Sequence, residues 1–174
     1  MRNHECDYKK RSPPMTNLPT SGVDLIKEFE GCYLKAYPDP LTGAKPITIG
    51  WGSTKKLDGS DWKLGETITQ AQADEMLITQ LEKSYLPSLQ KIPSWDDLTT
   101  NQKGAILSFS YNLGKNFYNG SGFVSISRLL KNPELWSDAK EVTRVFTLYC
   151  NPGSNVEAGL RRRRVAEANL WLKQ

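Results

Sequence analysis

Histidine is almost missing from this chain: of 174 residues, only His4 is one. Zinc hydrolases need several His, Cys or Asp ligands. Serine hydrolases and cysteine peptidases need a histidine base held in a packed site. A single histidine in a polar leading segment serves none of these. The expected chemistry therefore rests on carboxylates and hydroxyls, with no metal and no cofactor. Cysteine is scarce too. Cys6, Cys32 and Cys150 are an odd number, which argues against a disulfide framework and for reduced thiols, with a Cys32–Cys150 bridge left open until distances are known. No stretch approaches the ~18 consecutive apolar residues of a membrane span. Met1 to Met15 is polar and charged with no apolar run, so it does not read as a secretory signal. The expectation is synthesis in the cytoplasm, no stable membrane insertion, and dependence on another factor if the protein works beyond the membrane.

What is present points to one domain, or one domain of two lobes, with enough apolar residues for a core. The net charge of +4 and pI near 8.9 favour an anionic partner, namely a cell wall, a nucleic acid or a membrane surface, without choosing among them. Residues 1–18 carry Lys9-Lys10-Arg11 and Ser12-Pro13-Pro14 and no apolar period, so they read as a disordered tail or linker, with the folded domain over residues 19–174.

Ser21 as N-cap with Asp24 predicts a short helix over about Gly22 to Glu30, stopped by Gly31. Tyr33–Tyr37, a turn-rich stretch and Ile47-Thr48-Ile49-Gly50-Trp51-Gly52 predict an antiparallel sheet of two or three strands. Helical patterns follow: one capped by Thr69 with Gln72, one by Thr99 with Gln102, one opening at Pro133, and a last helix from about residue 157 with Leu160, Val165, Leu170 and Leu172 facing inward. The expected fold class is α+β, a small antiparallel sheet lobe beside a mostly helical lobe, with a cleft between them.

Glu30 is misplaced for helix stability, because a carboxylate at a helix C-terminus faces the negative end of the macrodipole. That field, with partial burial beside Phe29 and Tyr33, would raise its pKa, which suits a group that must protonate a leaving oxygen. Asp39, nine residues on, lies in turn chemistry after Tyr37-Pro38, and Thr48 in a strand that favours β-branched residues anyway. Each alone is weak.

Together, Glu30-Gly31, Tyr37-x-Asp39 and Thr48-Ile49-Gly50-x-Gly52 resemble the signature of the phage T4-type lysozyme family, the endolysins of glycoside hydrolase family 24. Ser108-Phe109-x-Tyr111-Asn112-x-Gly114 and Gly159-Leu160-x-x-Arg163-Arg164-x-x-Glu167 look like two further segments of that family, in order, over about Ser21 to Leu172. The chain departs from many members at Ser53 and Thr54, where they carry a histidine, and its Pro40–Pro46 insert is longer than in the shortest members. The resemblance implies a lysozyme-like fold and hydrolysis of the β-1,4 bond between N-acetylmuramic acid and N-acetylglucosamine in peptidoglycan. It implies Glu30 as acid, Asp39 polarising a water and Thr48 placing it. It also implies an arginine supporting the acid, Arg163 first among Arg161 to Arg164, and Tyr111 and Asn112 against the sugar. The implied partner is the peptidoglycan glycan strand, bound by a monomer without nucleic acid or membrane, after release by a holin. Rival readings are a binding module that does not cut, a lytic transglycosylase, which would leave 1,6-anhydro ends, and a nucleic-acid binder prompted by the basic run.

Overall fold

A computed structural model describes residues 17–40 and 42–174; most of the expected tail, residues 1–18, lies outside them. Leu18 is nevertheless buried in the core, so the packed chain reaches back past the boundary expected between residues 18 and 19.

Helix α1 runs Thr20–Glu30 and is capped by Pro19 in extended conformation, without a side-chain cap bond. The expected cap, Ser21, lies inside the helix, and its buried Oγ has no hydrogen-bond partner among the described residues. The reason is the crossing of α1 over α4 (Thr100–Leu113) at Gly22 and Gly104. A Cβ built on Gly22 would stand 2.6 Å from the Gly104 carbonyl oxygen, and one on Gly104 would stand 2.6 Å from Ser21 Oγ. Two glycines let the helix backbones touch, and that contact, not capping, decides where Ser21 points.

Strands β1 (Tyr33–Tyr37) and β2 (Thr48–Gly50) pair antiparallel, with Tyr33 opposite Gly50 and Tyr37 opposite Thr48. The sheet has two strands, extended by single bridges such as Lys35 with Thr67 and Ile49 with Ser53. Its own small core is Ala36, Ile49, Trp62 and Met76.

Helix α2 (Gln70–Gln80) opens at the expected Thr69–Gln72 capping box, and α4 at the Thr99–Gln102 box; both boxes are reciprocal. Between them, Leu81–Tyr85 forms a turn of π-helix that passes into the short α3 (Leu86–Leu89). Helix α5 spans Val124–Lys131. Pro133 opens a single 3₁₀ turn to Leu135 instead of the helix expected there; α6 (Ala139–Thr147) starts four residues after that turn and is capped by Asp138. Helix α7 runs Glu157–Leu172.

The larger core gathers α1, α4, α6 and α7 around Ile26, Ile106, Phe109, Phe146 and Trp171. Cys32 and Cys150 are free thiols. No helix among the described residues is long and apolar enough to cross a membrane. Trp62, Trp95 and Trp171 are core residues, and Trp51 and Trp136 pack against the core partly exposed.

The inward face of α7 differs from the expectation. Val165 is exposed and Leu160, Leu170 and Leu172 are half-buried, whereas Arg163, Arg164, Glu167, Ala168 and Trp171 are buried. A buried charge must be paired, so this face can close only because it carries both signs.

Candidate functional site

Glu30 is the last residue of α1, and Gly31, at φ 69°, ends the helix there. Its carboxylate side chain is 23% exposed. Arg163 Nη1, from α7, donates to Glu30 Oε1 at 2.5 Å. A guanidinium therefore supplies the positive charge that a helix C-terminus favours. Of the four consecutive arginines, Arg161 and Arg162 are exposed, while Arg163 and Arg164 are buried. Arg161 pairs with Glu157 at the surface, and Arg162 lies over the Phe29 ring.

Arg163 is fixed from behind. Its Nη2 donates to the Ser108 carbonyl at 3.1 Å, and its Nε donates to Glu167 Oε1 at 3.2 Å. Glu167 Oε1 also accepts from Ser108 Oγ at 2.8 Å and from Arg164 Nη2 at 3.0 Å. Arg164 Nε approaches Glu167 Oε2 at 3.0 Å as an ion pair without hydrogen-bond alignment. Burial pushes the Glu167 carboxyl up, opposed by Arg164 and then Arg163. Burial pushes Arg164 down to about 10, which leaves it charged at neutral pH. Glu167 was legible only as part of a motif; its part is to carry the counter-charge that lets two arginines lie in the core.

The second carboxylate oxygen, Glu30 Oε2, accepts no hydrogen bond among the described residues and faces Gly52. A Cβ on Gly52 would stand 3.5 Å from Glu30 Oε2 and 3.7 Å from the Tyr111 hydroxyl, and φ there is 98°. A side chain would fit that space, so it is the left-handed φ that favours glycine where the strand turn passes beside the carboxylate. Tyr111 Oη donates to the Trp51 carbonyl at 2.8 Å and ties α4 to that turn. Trp51 Nε1 in turn donates to Asp74, which also pairs with Lys27 of α1 at 2.8 Å.

Tyrosines crowd the same carboxylate. Burial raises the Tyr111 hydroxyl, and Glu30 adds to it. Tyr85 is shifted the same way by the same two causes. Tyr37 is raised first by burial, then by Tyr33 and Glu30. The Tyr85 and Tyr111 rings lie 5.3 Å apart, and those of Tyr33 and Tyr37 4.8 Å apart. Tyr85 was missed from the sequence; it stands at the end of the π-turn, a geometry that often marks functional positions.

Asp39 follows β1, its backbone N–H bonded to the Ala44 carbonyl and its own carbonyl accepting from Gly43. Thr48 begins β2 opposite Tyr37, two residues before Asp39. Both side chains are half-buried on the sheet side. Asn112 Oδ1 accepts from Arg164 at 3.0 Å and Arg163 is enclosed, so both are bound first to the buried network. Among the described residues no group of His, Cys, Asp and Glu could hold a metal.

The model of the family described as phage lysozyme matches residues 27–167. The chain belongs to the phage lysozyme family. An endolysin of Lactococcus phage c2 is 34% identical over 153 residues, covering 88% of this chain and 59% of that protein. The chain therefore spans a little under three fifths of that relative's length. A lysozyme mutant of Salmonella phage P22 superimposes with a TM-score of 0.66 at 30% identity, over 91% of this chain and 100% of the other. The muramidase domain of SpmX from Asticcacaulis excentricus gives a TM-score of 0.63 at 26% identity, over 88% of this chain and 96% of the other. Within the family, the lysozyme-like fold has a small antiparallel sheet lobe beside a mostly helical body, as expected from the sequence.

Proposed function

We propose that this chain is an endolysin that hydrolyses the β-1,4 bond between N-acetylmuramic acid and N-acetylglucosamine in peptidoglycan. Membership of the phage lysozyme family supports the reading, as do the endolysin and muramidase names of its relatives. The observation that carries it is Glu30, with one oxygen held by Arg163 and the other facing the strand turn. A group so held can deliver a proton in a fixed direction, and general acid catalysis depends on that geometry first.

In this reading Glu30 protonates the glycosidic oxygen as the bond breaks. Asp39 accepts a proton from a water that attacks the anomeric carbon from the opposite face, and Thr48 Oγ1 holds that water. Arg163 acts through Glu30, and Glu167 through Arg163; both are positioning residues. The wall is the site of action, reached after release from the cytoplasm through a separate pore-forming factor.

Mass spectrometry of digested sacculi tests the reaction class. The expected products are disaccharide-peptides with free reducing N-acetylmuramic ends. Products ending in 1,6-anhydro sugars would identify a transglycosylase, and wall binding with no release would identify a binding module; either result contradicts the proposal.

A further inference from the structure

Trp51 is the tip of a three-residue turn. Ile49 and Ser53 exchange both backbone hydrogen bonds, at 3.0 and 2.9 Å, and Gly50-Trp51-Gly52 lies between them. Turn tips usually stand in solvent. This one packs against the larger, helical core, although its strand belongs to the sheet lobe. It is held from three helices. Tyr111 of α4 donates to its carbonyl at 2.8 Å, and Asp74 Oδ1 of α2 accepts its indole N–H at 2.8 Å. Lys27 of α1 lies 5.2 Å from the ring centroid and pairs with the same Asp74 oxygen, to which Gln70 also donates at 3.3 Å. The glycines on either side, at φ 64° and 98°, are left-handed and could take other backbone conformations at little cost. The anchors on the tip are therefore what gives this turn one conformation.

The turn matters because of its neighbours. On one side, the Cβ position of Gly52 is 3.5 Å from Glu30 Oε2. On the other, Thr48 stands two residues before Gly50 in β2, opposite Tyr37, which stands two residues before Asp39. Glu30 belongs to α1, whereas Asp39 and Thr48 ride on the sheet lobe. The distance from the acid to the pair that would hold the water thus depends on how that lobe is seated on the helices. Resting on the muramidase reading, we propose that Trp51 is the pin that seats it, with Tyr111 and Asp74 as its two locks. All three are positioning residues. They touch no reacting atom; they keep the groups of the sheet lobe in register with Glu30. A misplacement of ~1 Å can cost about a hundredfold in rate, so the loss of either lock shows in turnover.

The test is kcat and KM on soluble, uncrosslinked glycan strands, measured well below the unfolding midpoint of each variant. Tyr111→Phe keeps the ring and removes the hydroxyl, and Asp74→Ala removes the acceptor of the indole N–H. Each is expected to lower kcat about tenfold with KM within about twofold, the signature of an interaction that acts on the transition state alone. Asp74→Asn separates positioning from stability. Its amide oxygen still accepts the indole N–H, while the ion pair with Lys27 is lost. It should keep kcat within about threefold of wild type. A fall in kcat of less than about threefold in either Tyr111→Phe or Asp74→Ala would overturn the proposal, as would a loss carried by KM, or an Asp74→Asn enzyme as slow as Asp74→Ala. A wild-type protein that releases no reducing ends would instead overturn the muramidase reading, and this inference with it.

Discussion

Glu30→Gln is expected to lower the release of reducing ends from peptidoglycan by about a thousandfold, within the range that a positioned general acid contributes. Glutamine keeps the shape and one oxygen for Arg163, but it carries no transferable proton. The fold should tolerate the change. Arg163 retains Glu167 and the Ser108 carbonyl as partners, so no buried charge is stranded. The ion-paired hydrogen bond becomes one from a cation to a neutral amide, at a cost of about 1 kcal/mol, which lowers the unfolding midpoint by roughly 2–4 °C. Kinetics and thermal unfolding on the same preparation check both halves. A variant that stayed folded and kept activity within about tenfold of wild type would remove Glu30 from the chemistry.

Glu167→Ala is expected to produce the largest loss of stability of any single charge removal in the chain. It would leave Arg163 and Arg164 in the core with one carboxylate, Glu30, between them, and would deprive Ser108 Oγ of its acceptor. Breaking a buried pair from one side costs about 3–5 kcal/mol, which for a domain of this size lowers the midpoint by roughly 6–20 °C. The surface pairs Arg144–Glu141 and Arg161–Glu157 set the contrast, since removing Glu141 or Glu157 should leave the midpoint nearly unchanged. Turnover should also fall well below the new midpoint, because Arg163 loses the support that aims it at Glu30. Thermal unfolding of the three variants side by side checks the order. A shift for Glu167→Ala no larger than for Glu157→Ala would contradict a buried network held together by Glu167.

Local rules read this sequence well wherever structure is decided locally. The Thr69–Gln72 and Thr99–Gln102 capping boxes form as their spacing predicts, since each needs only four consecutive residues. The same rule failed at Ser21, where a contact between two glycines 82 positions apart outweighed capping. Charge misled in a different way on α7. Arginine and glutamate signal solvent to any pattern based on hydrophobicity, yet Arg163, Arg164 and Glu167 point inward. Their burial depends on one another and on Glu30, 133 residues away, which no periodicity encodes. Glu30, Asp39 and Thr48 stand out only as a set, through resemblance, because singly each fits an ordinary local role. Tyr85 carried no signal at all; its direction follows from a π-turn whose sequence, Leu-Glu-Lys-Ser-Tyr, reads as plain helix.

At the centre of the proposed mechanism, Glu30 acts as acid while Asp39 drives a water from the opposite face. The most direct test is the anomeric configuration of the first-formed product, followed by proton NMR before mutarotation. Attack by a positioned water inverts the centre, so cleavage of the β-1,4 bond should release N-acetylmuramic ends first as the α-anomer. A β-anomer appearing first would mean retention through a covalent intermediate, and would contradict Asp39 and Thr48 as the groups that activate and hold the water.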